Sequence, residues 1–520
     1  MNPSLRTYRF EIKAQYAPLT SVLPNSTSIY HKWPPIKQKR KLPLYMLVAA
    51  ISNPSGCAPD SLIGPPIHVQ SGDKLEVILS NQLESSGLSL HWHGFEMKNA
   101  LQYDGVVGLT QNPVGPNHQF VYNFTVNETA GTYWYHTHSG ALGADIYNSI
   151  KGPLIVHPKG KEMRQMIDTL NRINYFIQDE DNSTKLVPNS ILYKGRNLSP
   201  LAYENERILF FSDGFLMSES LAYMNVMGGL NAPPSKNDKG WLVGTHPWEF
   251  GTCNGKLREV IHVSPGETYK FRLLSASSMY AFRVKIHNLP MIVVGADSDP
   301  VEPYEVTHLI IHAAERFDVM VTIPAIYSLG ETFWIKADTL ESQMQGYQNG
   351  VRAILHIADS TNSLGVNISD AEIPDPKDDI TIQKGVEEVP TMNCYDHTVL
   401  NSEKWCLPLT KLTSKKSRTM KSIEADIETH TVDFHFQPSP QFSHFVRIDE
   451  GEWIQHVNPF KSMLHSNFDP SVDQHPHTAM LHVKDYSEVI VVWRNKSTMD
   501  HPIHVHGYKS KCDLIFEMKE

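Results

Sequence analysis

The chain has 520 residues, of which 41% are hydrophobic and 20% charged, a globular composition with room for about three domains at roughly 150 residues each. Its formal net charge of −10 argues against nucleic acid as a main partner, and no run of about 18 apolar residues is present to span a membrane as a helix. Against 26 histidines stand only five cysteines, which excludes a disulfide-dense scaffold or a cysteine-rich zinc protein and points to a metal centre with nitrogen ligands.

Along the chain, strand signals dominate: short β-branched and aromatic runs separated by Gly, Pro, Asn and Asp turns. The N-terminal residues alternate polar and apolar and read as a first strand rather than a secretory leader. The apolar run after the basic cluster at 37–41 reads as a buried strand. Next come Ser71-Gly-Asp-Lys-Leu-Glu-Val-Ile-Leu79, a turn and an alternating strand, then His91-Trp-His93-Gly94 and Gly131-Thr-Tyr-Trp-Tyr-His-Thr-His138. Helical periodicity is scarce, and its best instance is 161–176.

Several of these segments recur. Pro265-Gly-Glu-Thr-Tyr-Lys-Phe-Arg-Leu273 echoes the strand from Ser71, and Gly330-Glu-Thr-Phe-Trp-Ile-Lys-Ala-Asp338 echoes the one from Gly131. Glu76-Val-Ile and Glu488-Val-Ile each lead through an Asn to a histidine pair ending in Gly. Three copies of one β-sandwich account for this, the middle one without metal because Lys336 and Asp338 stand where the first copy has His136 and His138. Polar connectors place the first domain at 1–160, a linker or insert at 161–205, the second domain at 206–360, a linker at 361–388 and the third domain at 389–520.

Seven N-x-[ST] sequons, among them Asn123, Asn127, Asn182, Asn197 and Asn367, support an exported, glycosylated protein. Cys394 and Cys406 are close enough in sequence to close a short disulfide loop, whereas Cys57, Cys253 and Cys512 cannot all pair internally.

Three H-x-H pairs carry the chemistry: His91 with His93, His136 with His138, and His504 with His506, the last extended upstream to His501. On a strand, residues i and i+2 share a face, so each pair projects two imidazoles together while Trp92 or Val505 points away. The bare pattern is weak, since chance places roughly one or two such pairs in a chain with this many histidines. Matched strand context makes these three specific. All-nitrogen sites suit copper, zinc, iron or nickel, and no H-E-x-x-H helix is present.

The segments HWHGFEMKNALQYDG, GTYWYHTHSGALGADIYNSIKGPLIVHP and HPIHVHG resemble three copper motifs of the multicopper oxidases, with laccases the most similar group and ascorbate oxidases and ferroxidases as relatives. The resemblance covers roughly residues 60 to 508. It implies an all-β protein of three cupredoxin-like Greek-key β-sandwich domains, the third incomplete. By motif position, His91 and His504 correspond to type 2 copper ligands, and His93 with His136 to ligands of one type 3 copper. His138 with His506 correspond to ligands of the other, and His501 to a type 1 ligand. Asp104 falls where the family has an acid implicated in proton delivery, although Asp-Gly is equally a strong turn signal.

The family's fourth motif, a cysteine between histidines, has no counterpart here, because Cys512 is not flanked by histidine. The expectation is therefore a laccase-type oxidase coupling one-electron oxidation of phenolic or similar donors to reduction of O₂ to water. It is represented by an incomplete gene model or truncated splice form that is inactive as written. Its expected partners are a small reducing substrate and O₂, with no nucleic acid and no membrane span, and the expected state is a secreted monomer. The alternatives are a non-catalytic copper-binding protein, or a ferroxidase or ascorbate oxidase-type member.

Overall fold

In the computed structural model of the chain, the described residues are 7–18, 45–51, 150–158, 174–178, 184–188, 205–214, 391–393, 428–437, 445–448, 489–495 and 503–507 and, with short gaps, 63–138, 250–359, 372–376 and 406–414. The described elements are strands apart from one short 3-10 helix, Leu101–Tyr103.

The first sandwich is built from β1 (Thr7–Pro18), β2 (Tyr45–Ile51), β3 (Ile67–Gln70), β4 (Lys74–Asn81), β5 (Leu90–His93), β6 (Gln119–Thr125), β7 (Gly131–Thr137) and β8 (Lys151–His157). One sheet has the order β2-β1-β4-β6 and the other β3-β8-β7-β5. The alternation read from the sequence is the cause of the layering. In β4, Leu75, Val77 and Leu79 are fully buried between the sheets, against Tyr122 and Phe124 of β6 and Trp92 of β5. The turn into β4 needs a left-handed residue, met by Gly72 at φ 83°, and Asp73 closes it by accepting the Gln70 N–H at 2.8 Å.

After the hairpin of β9 (Asn174–Gln178) and β10 (Thr184–Pro188), the second sandwich repeats the plan. It comprises β11 (Glu206–Gly214), β12 (Phe250–Cys253), β13 (Glu259–Val263), β14 (Thr268–Ser275), β15 (Phe282–Ile286), β16 (Met291–Ala296), β17 (Asp299–Val306), β18 (His308–Ile311), β19 (Arg316–Thr322), β20 (Thr332–Thr339) and β21 (Gly350–Ile357). Its sheets run β12-β11-β14-β19-β16-β17 and β13-β21-β20-β15-β18, so β11 and β14 pair in parallel like β1 and β4, and β13 and β21 like β3 and β8. Two short strands, β22 (Thr391–Met392) and β23 (Cys406–Leu407), extend the second of these sheets, and Met392 is buried in its core. A three-stranded sheet follows, made of β24 (Glu428–Gln437), β25 (Phe445–Ile448) and β26 (Val489–Asn495) in the order β25-β24-β26. Its parallel β24–β26 pair is the third occurrence of the β1–β4 arrangement.

The repeat explains why the middle copy has no imidazoles at the corresponding positions. In the first sandwich His91 pairs across the sheet with His136, and the corresponding register pair in the second is Lys285 with Lys336.

Two local expectations are corrected. The helix expected over 161–176 conflicts at its end with β9, where Asn174, Tyr175 and Phe176 pair with β10. A run rich in aromatic and β-branched residues gains more from cross-strand contacts than from a helical turn. Residues 161–173 lie outside the described residues. Nor is the third histidine pair carried on a regular strand: Ile503–Val505 is irregular and His506–Gly507 is a turn, with Gly507 at φ 77°.

Candidate metal centre

The site forms where β5 and β7 pair at the edge of the first sandwich. Trp92 faces inward, its ring packed edge-on to Tyr122 at 5.4 Å and its Nε1–H given to the Tyr103 carbonyl at 2.9 Å, which leaves His91 and His93 on the opposite face. Across the strands His91 pairs with His136 and His93 with Trp134, and His138 follows just past the end of β7. From far along the chain, 503–507 brings His504 to stack on His93, with ring centres 3.9 Å apart, and His506 to lie 3.9 Å from His91. His138 meets His506 edge-on at 4.8 Å. Six of the seven expected histidines thus converge, while His501 lies outside the described residues.

Second contacts set the tautomers. The Nδ1 of His91 is 2.8 Å from the Asp104 carbonyl oxygen and 3.1 Å from its Oδ1, so its N–H is given to Asp104 and Nε2 keeps a free lone pair. That Nε2 is buried without a partner. His136 likewise donates from Nδ1 to the Thr137 carbonyl at 2.8 Å and turns Nε2 toward Nδ1 of His93, 3.4 Å away. One ligand atom each from His91, His93 and His504 lie within 4.8 Å of one another, as do those of His91, Asp104 and His506.

An orphaned imidazole nitrogen at 1% residue exposure is costly unless a cation meets it, so this donor set fits a borderline metal such as copper. Electrostatics agree. Burial first, then the neighbouring imidazoles, hold His93 and His136 well below the usual histidine range and push His138 down to about 3 and His504 to about 2. The Arg316 guanidinium adds to the effect on His93 and His504. Neutral imidazoles are the metal-binding form. Asp104 goes the other way: burial raises it, but the hydrogen bonds from His506, at 3.0 Å, and His91 outweigh that and hold it ionised.

Two residues of the site are not among those expected from the sequence, although the i, i+2 spacing on β7 puts the first of them, Trp134, on the face of His136. Trp134 lies 4.3 Å from His136 and 5.0 Å from His93, and its indole nitrogen is buried without a partner. Arg316 comes from β19 of the second sandwich. Beyond the site, Asn127 is exposed and Asn123 is half-buried with its amide on Glu76, 3.2 Å away, whereas Asn182, Asn197 and Asn367 lie outside the described residues. Cys253 is buried and free, and Cys394 lies outside the described residues.

Fold and site together define a cupredoxin-type protein with a histidine-rich, oxygen- and nitrogen-lined metal centre. Multicopper oxidase family models match residues 55–161, 205–358 and 446–512. The chain belongs to the multicopper oxidase family, whose cofactor is copper. It is 30% identical over 293 residues to Laccase-1 of Cryptococcus neoformans var. neoformans serotype D, a match covering 54% of this chain and 40% of that protein. L-ascorbate oxidase of Cucurbita maxima is 29% identical over 283 residues, covering 53% of this chain and 43% of that one. The chain thus spans less than half the length of these curated relatives.

In fold it resembles Fet3p, a multicopper oxidase that functions in iron import, at a TM-score of 0.54 and 17% identity over 86% of this chain and 65% of that one. It also resembles the laccase from Botrytis aclada, at 0.52 and 18% over 88% and 66%. No helix among the described residues is long and apolar enough to cross a membrane.

Proposed function

We propose that this chain carries the oxygen-reducing copper site of a laccase-type oxidase. The single observation behind the reading is the convergence of five imidazoles, with ring centres 3.9 to 5.9 Å away, on His91, whose Nε2 is buried without a partner. His91 and His504 would hold one copper, His93 with His136 a second and His138 with His506 a third, with His501 contributing to a separate electron-entry site. When bound, copper supplies one-electron redox chemistry, four equivalents of which reduce O₂ to two waters. The chain's own part is to present neutral imidazoles in a fixed array, to exclude bulk water around His91 and His136, and to keep an ionised carboxylate, Asp104, within hydrogen-bond reach of His91 and His506 for proton transfer.

The donor would be a phenol, a diphenol or a similar small reductant, and the protein a secreted, glycosylated monomer. Exposed Asn127 supports glycosylation, and a Cys394–Cys406 disulfide would fit the same compartment. The domains would be 1–160, 206–360 and 389–520, with linkers at 161–205 and 361–388. A second reading, a non-catalytic copper-binding protein, is favoured by one observation: none of the five cysteines has a histidine beside it, so residues 1–520 lack the thiolate that a blue copper site needs.

One experiment tests both readings. Residues 1–520 are expressed, loaded with copper, and assayed for bound metal, visible absorption and O₂ uptake with a diphenol, ascorbate or ferrous iron. Retained copper with no blue absorption and no O₂ uptake is the expected result. A transcript running in frame into a His-Cys-His segment would then restore the oxidase reading over the binding one. A chain that retains no copper, with His91→Ala and His504→Ala behaving as wild type, overturns the proposed site.

A further inference from the structure

Among the described residues the second sandwich adds no histidine to the imidazole cluster, yet its Arg316 side chain reaches the metal centre. Arg316 opens β19 and is 5% exposed. Its Nε–H donates to the carbonyl oxygen of Thr132 at 3.0 Å, in β7, four residues before His136. Its Nη1 donates to the Ala314 carbonyl at 3.0 Å and lies 3.0 Å from Oδ1 of Asp297. Its Nη2 covers Gly94, the residue after His93: a Cβ there would stand 2.7 Å from Nη2, and Gly94 is at φ 91°. One planar guanidinium thus touches both histidine-bearing strands of the other sandwich.

Two independent features show that the arrangement is held under constraint. Ala314, whose carbonyl receives Nη1, sits at φ 67°, a conformation that costs a non-glycine residue about 1 kcal/mol or more and persists only where its surroundings impose it. Thr132 is also gripped by its side chain, which donates to Asp318 Oδ1 at 2.5 Å and accepts from Arg272 Nη1 at 2.8 Å. The second sandwich therefore fixes where β7 lies, and through Arg316 where the turn after His93 lies relative to it.

We propose that Arg316 is a positioning residue for the metal centre, its forked guanidinium setting the spacing of the His91–Gly94 and Thr132–His138 segments so that His93 and His136 face one ion. The inference rests on the copper-site reading above. Lysine carries its three N–H donors on a single nitrogen at the end of a flexible stem and cannot span the separate positions that Nε, Nη1 and Nη2 occupy on a rigid plane, so charge alone does not replace the fork.

The test titrates copper(II) into the full 520-residue chain against a competing chelator and records the electron paramagnetic resonance of the bound ion, with far-UV circular dichroism to confirm folding. Arg316→Lys and Arg316→Gln are expected to lower copper affinity by about 10–100-fold, as loss of an orienting contact does, and to change the resonance parameters. Asp375→Asn, on an exposed ion pair of the second sandwich remote from the site, should match wild type. Gly94→Ala probes the same contact from the other side and should also weaken copper, which keeps the test open should Arg316→Gln not fold. Arg316→Lys with wild-type affinity and resonance overturns the inference, as does a destabilised Arg316→Gln whose bound copper is unchanged. Wild-type chain that takes up no copper sinks the copper-site reading itself, and this inference with it.

Discussion

At Asp104 two demands meet in one side chain. The residue precedes Gly105 in a tight turn, as its sequence context suggests, and its carbonyl and carboxylate both contact His91 while Oδ2 reaches His506. Asparagine is as good a turn former as aspartate but carries no charge. If the turn were the whole role, Asp104→Asn would leave both stability and metal binding unchanged. The expected outcome is a near-constant melting temperature with copper affinity lowered by about 10–100-fold, read by chelator competition.

Glu315 makes the opposite case. Burial, opposed by its hydrogen bonds from the His312 N–H and Asn393, pushes its carboxyl up to about 8. A raised acid contributes stability that is complete below the ordinary carboxylate range and is lost as pH rises through about 8. Glu315→Gln, which keeps an acceptor for both partners, should abolish that alkaline loss. Melting temperatures at pH 6 and 9 should then converge in the variant and differ in wild type.

On the scale of the element, the histidine strands depend on their inward neighbours. Trp92 is fully buried, and Trp92→Ala should cost about 3–5 kcal/mol in urea unfolding. Gly105, at φ 85°, lies against β5 so closely that a Cβ would stand 1.8 Å from the Leu90 carbonyl. Gly105→Ala therefore cannot be absorbed by a side-chain rotation and must move β5 or the turn. A loss of about 2–5 kcal/mol is expected, together with weaker copper binding because His91 moves with the strand. Alternation made β4 legible from sequence, since a two-residue period marks one buried face, whereas β5 and β7 are buried along their whole length and were marked by their histidine spacing. The segment at 503–507 reads the same way by pattern, yet it is not a strand, because H-x-H spacing states which side two residues share and not what hydrogen-bonds their backbone.

Across the whole molecule, the first two sandwiches meet over buried charge. Arg272 bridges Glu206 and Asp318, Lys270 joins Asp318 at 2.8 Å, and Trp134 of the first sandwich packs with Phe210, Leu274 and Ala276 of the second. His157 lies near Glu206, at 3.9 Å, and burial holds it down at about 3, while Lys270 and Arg272 overcome burial to hold Asp318 at about 2. Each depressed group contributes stability that is present above its unfolded value and lost as pH falls toward its folded one, so histidine and carboxylates act in the same direction. Metal-free chain should therefore lose stability progressively from about pH 6.5 toward pH 3, with a protease-sensitive junction between the sandwiches appearing before global unfolding. Denaturant midpoints and limited proteolysis across that range would check it, and a flat midpoint would refute it.

The sequence by itself determined the class of fold, the threefold recurrence of one strand plan, the face of β5 that His91 and His93 share, and the lack of a histidine-flanked cysteine. These are properties of period and spacing, which local chain geometry converts directly into faces and turns. Only the tertiary structure decided which faces meet: that Asp104 and His506, 402 positions apart, come within 3.0 Å, and that a sandwich without ligands lends Arg316 to the site. It also decided that His91 holds a free nitrogen toward its neighbours because its other nitrogen is given to Asp104. Such pairings depend on how separately formed layers pack, and no local period encodes them.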